Sequence, residues 1–97
     1  MFCVTLLYPK TEGVAFDYDY YVEKHMPFAA EKLGDVCISW TVDKVINGPY
    51  HVIGRLNVTS LEKFVEITGA ARAEFTADIQ KCTAIVPNVV TGEVIEG

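Results

Sequence analysis

A chain of 97 residues, of which 51% are hydrophobic and 22% charged, is long enough for one domain with a single core and too apolar for a disordered segment. The formal net charge is −5 and no basic cluster occurs, which argues against a nucleic-acid partner and against binding to an anionic membrane surface. The apolar runs are too short to span a bilayer, and the start of the chain lacks the basic residues and cleavage pattern of a signal peptide. A single cytoplasmic domain over residues 1–97, with no membrane partner, is therefore expected.

The first predicted elements are a strand and a helix. Residues 2–8 are mostly β-branched and aliphatic, they are apolar on both faces of the strand, and Pro9 ends the run. Asp17 is placed to cap the helix that follows, because its carboxylate can accept from the free N–H groups of the first turn. This helix is expected to run to about Leu33 and to stop at Gly34, a residue type that is favoured directly after helix ends.

The rest of the chain alternates between strand and helix patterns. Alternating or β-branched runs predict strands, Asn-Gly predicts a tight hairpin turn, and a capping-box pattern predicts a helix start. In chain order these are a strand over residues 36–46, the turn Asn47-Gly48, a strand over 50–58, a helix that opens at 59–62 and is interrupted at Gly69, a helix over 70–81, and a strand over 83–95 that is broken at Pro87. The order β-α-β-β-α-β predicts a ferredoxin-like α+β fold, with a four-stranded antiparallel sheet and the helices on one face.

A sheet of this kind leaves one face without helices. The first and last predicted strands are apolar on both faces, so a monomer would present apolar side chains to water on the open face. Packing the open faces of two identical chains against each other would remove these side chains from water. The strand pattern therefore predicts a homodimer.

The stretch from Phe16 to Pro27 carries most of the reactive side chains, with four aromatic residues, two aspartates and one histidine. His25 falls on the apolar face of the predicted helix, one turn after Tyr21. Pro27 has no N–H to donate and its ring crowds the preceding turn, so a break or kink is predicted near Met26. On these residues alone two interpretations of His25 stay open: a core histidine whose ring nitrogens are satisfied by the protein, or a neutral imidazole at a cavity that moves a proton near physiological pH.

No metal or cofactor site is predicted from the sequence. The three cysteines, Cys3, Cys37 and Cys82, are widely separated and lack C-x-x-C spacing. Neither His25 nor His51 falls at metal-finger spacing to them, so reduced, buried thiols are expected. The chain also contains no phosphate-binding loop, no dinucleotide fingerprint and no hydrolase nucleophile elbow.

Several segments taken together resemble one known family. The chain resembles the EthD family of small dimeric α/β-barrel proteins, which is named after a protein linked to ethyl tert-butyl ether degradation. The segments that carry the resemblance are Leu7-Tyr8-Pro9, Phe16-Asp17, Tyr20-Tyr21 and His25-Met26-Pro27. Residues 50–56, residues 60–62 and the strand around Pro87 resemble the family more weakly. The resemblance implies a single EthD-like domain over residues 1–97 and a barrel shared by two chains. It also favours the functional interpretation of the histidine, because the best-matching motif contains it.

The predicted site follows from this motif and from the aromatic residues on the strands. We predict His25 as the proton-transfer group and Tyr21 as its partner, which either orients the imidazole or donates to a substrate oxygen. Tyr8, Trp40 and Tyr50 are predicted to wall an aromatic-lined pocket that binds the substrate.

Two function classes remain open from the sequence. The first is a small cofactor-free enzyme of the dehydratase, isomerase, decarboxylase or monooxygenase type, which acts on a hydrophobic, aromatic or polyketide-like metabolite; the wider superfamily implies that range. The second is a non-catalytic accessory or carrier protein that binds a hydrophobic metabolite for an oxidative degradation system. A haem protein with His25 as axial ligand is a third hypothesis. Tyr20 is expected to face outward or towards the partner subunit, although the spacing leaves open whether Tyr20 or Tyr21 faces the pocket.

Overall fold

The strands form one antiparallel sheet in the computed structural model, which describes all residues from Met1 to Gly97. They are β1 (Phe2–Pro9), β2 (Cys37–Lys44), β3 (Tyr50–Val58) and β4 (Asn88–Glu93). Their order across the sheet is β2-β3-β1-β4, which places β1 and β3 in the centre and confirms the predicted ferredoxin-like arrangement. The last strand is shorter than predicted, because Pro87 cannot donate to a strand ladder and β4 begins only after it.

Three helices lie over one face of the sheet. Helix α1 covers residues 18–33 as three joined segments, followed by a short 3₁₀ turn: α-helical Tyr18–Tyr20, π-helical Tyr21–His25, α-helical Met26–Leu33 and 3₁₀ Gly34–Val36. Helix α2 is Leu61–Ala70 and α3 is Arg72–Gln80, so the break between them falls at Ala71 and not at the predicted Gly69. None of the helices combines the length and the apolar character that crossing a membrane requires.

Side chains cap the first helix and the second. The Asp17 carboxylate accepts from the N–H of Tyr20 at 3.0 Å, as predicted. The Ser60 hydroxyl accepts from the N–H of Lys63 at 3.2 Å, so the cap of α2 lies one residue later than the capping-box pattern implies. Helix α1 gives way to the 3₁₀ turn at Gly34, whose φ of 56° is open to glycine at little cost.

Pro27 does not break α1, contrary to the expectation from the sequence. In the π turn before it the N–H of Met26 donates to the carbonyl of Tyr21, five residues back. The wider turn accommodates the bulk of the proline ring and its missing donor, and the helix continues past Pro27 to Leu33. It also keeps Tyr21, His25 and Met26 on the same buried side of the helix, where their exposed fractions are 0%, 6% and 0%.

One face of the sheet carries the core and the other has no helix over it. On the open face Thr5 lies between Arg55 and Val90 of the neighbouring strands. This face is mixed, since Arg55 of β3 lies on it and forms an ion pair with Asp43 at 2.5 Å. The strand pattern predicts apolar faces for the first and last strands only. All six residues of β4 are exposed, including Val89 at 57% and Val90 at 55%.

The segment after α3 is bonded to the segment before α1. Phe16 and Thr83 form an isolated antiparallel bridge, and the N–H of Asp17 donates to the carbonyl of Cys82 at 3.0 Å. The Cys82 thiol in turn donates to the carbonyl of Asp17 at 3.2 Å. The Cys82 side chain is buried, and this burial raises the pKa of its thiol to about 11. No disulfide joins any of the three cysteines.

Candidate functional site

His25 ends the π turn of α1 and points one ring nitrogen at a carboxylate. Its Nδ1 is 2.8 Å from Oδ2 of Asp78 in α3. Its Nε2 has no hydrogen-bond partner in the chain and is not enclosed, because the only side-chain nitrogen or oxygen that is both enclosed and unbonded is the Tyr21 hydroxyl. A carboxylate can only accept, so the neutral imidazole carries its proton on Nδ1 and leaves the lone pair of Nε2 free.

Asp78 accepts hydrogen bonds from two side chains. The sequence did not predict this residue as part of the site. Besides His25, the hydroxyl of Tyr20 donates to its Oδ1 at 2.7 Å. Partial burial acts to raise the pKa of Asp78, but the hydrogen bonds from Tyr20 and His25 outweigh it, so the pKa lies below its ordinary value. The same hydrogen bond raises the pKa of Tyr20. Tyr20 therefore points towards α3, where the sequence predicts an outward or partner-facing side chain.

Tyr21 contacts the imidazole with its ring and not with its hydroxyl. The two rings are stacked, with centroids 5.5 Å apart and planes 21° from parallel. The hydrogen bond to the imidazole comes from Asp78, and a role for Tyr21 in orienting the ring or donating to a substrate stays a prediction. The Tyr21 hydroxyl lies over Gly54 of β3 at a distance that leaves no room for a Cβ there. It has no hydrogen-bond partner of normal geometry, and burial raises its pKa far above the ordinary value for tyrosine.

A cavity of about 230 Å³ lies between the three helices and the central strands, and His25 lines it. Tyr8 of β1 lines it as well, is only 2% exposed, and packs edge-on against Tyr21 with centroids 5.5 Å apart. Burial raises the pKa of Tyr8 to about 12. Most of the remaining wall is apolar, with Leu6, Met26, Leu56, Phe64, Phe75 and Ile79 among its residues.

Comparison with known proteins identifies the family. No family model matches the chain, and neither does any curated protein. Among solved structures, an EthD-like protein from Ralstonia eutropha JMP134 is 32% identical, superposes with a TM-score of 0.92, and is matched over 98% of this chain and 92% of its own. The chain belongs to the EthD family.

Two more distant solved structures share the fold of this EthD-family chain. One is a candidate antibiotic biosynthesis monooxygenase from Bordetella bronchiseptica, with 13% identity, a TM-score of 0.68, and coverage of 98% of this chain and 97% of that one. The other is a dimeric ferredoxin-like protein from an uncultured marine organism, with 14% identity, a TM-score of 0.60, and coverage of 100% and 97%. At these identities the similarity establishes the architecture alone.

Of the three aromatic residues predicted to wall the pocket of this EthD-family protein, the structure brings only Tyr8 to the cavity. Trp40 lies on β2 opposite Leu56, half-buried against the core, in the strand over which the second half of α1 packs. Tyr50 lies at the start of β3, opposite Pro9. Neither lines the cavity, because the cavity sits over the central strands and beneath α3. A role for them in substrate binding stays a prediction.

A second, more polar cavity of about 440 Å³ adjoins the first. Thr76, Ile79 and Pro87 line both, so the two meet under the C-terminal end of α3. The segment 83–86, which leads to β4, forms the far wall of the second cavity. The candidate site of this EthD-family chain thus combines an apolar chamber, a more polar extension, and a single imidazole that is hydrogen-bonded to a carboxylate.

Proposed function

We propose that this EthD-family protein is an enzyme that needs no cofactor and moves a proton on a small hydrophobic, aromatic or polyketide-like metabolite. The observation that carries the proposal is the bonding of His25, whose Nδ1 contacts the Asp78 carboxylate at 2.8 Å while Nε2 stays unbonded in a ring that lines the cavity. A base must have a free lone pair that the substrate can reach, and it must be in the correct tautomer before the substrate arrives. The hydrogen bond to Asp78 holds the imidazole in the correct tautomer before the substrate arrives.

The proposed step is a proton transfer between the substrate and Nε2 of His25. Nε2 takes a proton from an activated C–H or O–H, and the resulting imidazolium is stabilised by the Asp78 carboxylate. Return of this proton to another atom of the same substrate is an isomerisation, and its return to a departing hydroxyl is a dehydration. The apolar walls lower the dielectric around His25 and so strengthen the interaction of the imidazolium with Asp78.

The size of the cavity favours a small substrate. Pockets that hold drug-sized ligands are roughly 300–1,000 Å³, and the chamber beside His25 is smaller, at about 230 Å³. One or two rings fit this chamber. A longer polyketide-like chain would extend past Thr76 and Ile79 into the adjoining cavity of about 440 Å³.

The working unit is proposed to be a homodimer that uses the open face and β4. This is supported by the exposed Val89 and Val90 on an edge strand that has no partner in the monomer, and by the dimeric ferredoxin-like protein that shares the fold. An edge of this kind is otherwise a site of unwanted association.

The test is deuterium uptake from D₂O into a panel of enolisable aromatic ketones, followed by proton NMR. We expect wild-type protein to accelerate the exchange and His25→Gln, which keeps hydrogen bonding but does not titrate near neutrality, to lower the rate on the order of 100- to 10,000-fold. His51→Gln is the matched control, because His51 is bonded to Tyr18 and does not line the cavity. Unchanged exchange in His25→Gln, or wild-type protein that binds the ketones without accelerating exchange, would favour a non-catalytic carrier.

A further inference from the structure

The hydroxyl of Tyr8 is polar, unbonded, and next to an apolar chamber. The Tyr8 side chain is 2% exposed and lines the same cavity as His25. Its hydroxyl makes no hydrogen bond of normal geometry, yet it is not enclosed, since Tyr21 alone has an enclosed and unbonded hydroxyl. The accessible surface of the Tyr8 hydroxyl therefore borders the cavity.

A tyrosine at this position has a cost that a phenylalanine would avoid. Burying a hydroxyl without a partner is unfavourable, and most buried polar groups in proteins find one. Phenylalanine would provide the same edge-on contacts to Phe16 and Tyr21, whose ring centroids lie 5.1 and 5.5 Å away. A ligand oxygen in the cavity would supply the missing hydrogen bond.

The surroundings keep the Tyr8 hydroxyl a donor. Burial raises its pKa to about 12, so it stays protonated throughout the physiological range. The Tyr21 hydroxyl lies close enough to affect the pKa of Tyr8, although the pair falls short of a normal hydrogen bond. A small shift would let Tyr21 donate to the Tyr8 oxygen, which polarises the Tyr8 O–H and strengthens its bond to a third group.

We infer that Tyr8 donates a hydrogen bond to an oxygen of the ligand, which makes the substrate class a small aromatic ketone or a related compound with an oxygen on an apolar body. This inference rests on the proposed function and deepens it. Nε2 of His25 takes a proton from the carbon beside the carbonyl, the C–H electron pair forms the new C=C bond, and the carbonyl π pair moves to the oxygen. Tyr8 stabilises the enolate oxygen, and the proton on His25 returns to carbon or oxygen to close the cycle.

The test compares acetophenone with α-methylstyrene, in which C=CH₂ replaces C=O in nearly the same shape. Kd values for both are measured by NMR titration in wild-type protein and in Tyr8→Phe. We expect the ratio of the two Kd values to shift by about threefold to tenfold against the ketone in Tyr8→Phe, while hydrocarbon binding stays within about twofold. Tyr18→Phe, which removes a hydroxyl bonded to His51 outside the cavity, is expected to leave the ratio unchanged.

Hydrocarbon binding serves as the check that Tyr8→Phe is folded, since it requires an intact cavity. If that variant fails to fold, the bound shift of carbonyl-¹³C acetophenone is measured in wild-type protein, where a downfield shift relative to the ketone in an apolar solvent is expected. An unchanged Kd ratio in a folded Tyr8→Phe, or no downfield shift, overturns the inference. Both readouts report binding and neither depends on proton transfer, so the inference about Tyr8 and the proposal about His25 can fail separately.

Discussion

The hydrogen bonds to Asp78 couple the ionisation of one carboxylate to the stability of the fold. Its pKa is lowered in the folded state because the ionised form accepts from both Tyr20 and His25. A lowered pKa contributes stability that is fully present above the ordinary carboxyl pKa of 3.8 and is lost as the pH falls through the lower value of the folded state.

We predict that Asp78→Asn destabilises the protein by about 1–3 kcal/mol at pH 7, because the amide replaces a charged acceptor of two hydrogen bonds. The difference in unfolding free energy between wild type and variant should shrink below about pH 4, as the wild-type carboxyl becomes protonated. Urea titrations monitored by circular dichroism at pH 7, 5, 4 and 3 measure both quantities. A difference that stays constant across this range would show that Asp78 contributes no ionisation-linked stability.

The Tyr21 hydroxyl lies so close to the Cα of Gly54 that no residue with a Cβ fits at position 54. A Cβ there would overlap the Tyr21 hydroxyl and crowd the ring behind it. We predict that Gly54→Ala destabilises the protein by roughly 1–3 kcal/mol through overpacking. Gly69→Ala is the control: its added Cβ meets nothing within 4 Å, so it should be neutral or stabilising.

Tyr21→Phe should be neutral or stabilising in the unliganded protein, in contrast to most buried Tyr→Phe changes, because the hydroxyl it removes has no partner. In combination with Gly54→Ala it should recover part of the lost stability, since the overlapping oxygen is gone. Additive effects in this double-mutant cycle, measured by urea unfolding, would mean that the strain at position 54 does not come from Tyr21.

Single residues also mark the limit of sequence-based prediction. His25 and Tyr21 could be placed on a buried helix face because they follow an apolar periodicity within one element. Asp78 could not, because it lies 53 residues from His25 on a helix whose residues are all exposed or half-buried, where an acid has the pattern of a solvated side chain. Only the packing of α3 against α1 brings the two together.

At the level of elements, periodicity predicted the order of strands and helices but not the way in which α1 accommodates its proline. The sequence predicts a break or kink at Pro27, whereas the structure has a π turn over Tyr21–His25 and the helix continues after it. The choice between a kink and a π turn depends on what the helix packs against. Here the wide turn lets Tyr21 and Met26 both enter the core, although residues five apart point about 140° away from each other on a regular α-helix.

Helix α3 borders the cavity and is held to the rest of the protein by few buried contacts. It has no buried residue, and its contacts with α1 include the hydrogen bonds that Asp78 accepts from Tyr20 and His25. The Phe28–Phe75 ring contact at 5.3 Å and the Lys32–Glu74 ion pair also join the two helices. Few buried contacts imply a low free energy of local opening. Opening of this helix would admit ligand to the chamber.

We predict that amides of α3 exchange with deuterium faster than those of β1 and β3, and that Asp78→Asn raises the exchange of α3 selectively. Glu74→Gln is the matched control on the same helix, because its ion pair is exposed and pairs of that kind contribute at most about 1 kcal/mol. Hydrogen exchange followed by mass spectrometry measures all three proteins. Equal effects of the two substitutions on α3 would contradict an anchoring role for Asp78.

At the scale of the whole molecule, β4 is an exposed edge strand and one face of the sheet has no helix over it. We predict a homodimer at micromolar concentration, and Val90→Asp should convert it to monomer, because it places a charge on the open face beside Thr5. Val65→Asp is the control, since Val65 is 66% exposed on α2, on the other side of the sheet. Light scattering after size exclusion gives the mass of each protein, and a monomeric wild type would contradict the prediction.

Two hydrogen bonds join Asp17 and Cys82, so the alkylation rate of the Cys82 thiol reports the opening of the structure around it. The thiol is buried and its pKa of about 11 leaves almost no thiolate at neutral pH, so an alkylating reagent reacts with Cys82 only after the start of α1 separates from the end of α3. The half-buried Cys3 and Cys37 are expected to be alkylated first in the same time course. The lag before the last thiol is labelled therefore reports how often the two ends of the helical layer come apart, in unmodified protein and without an added fluorophore.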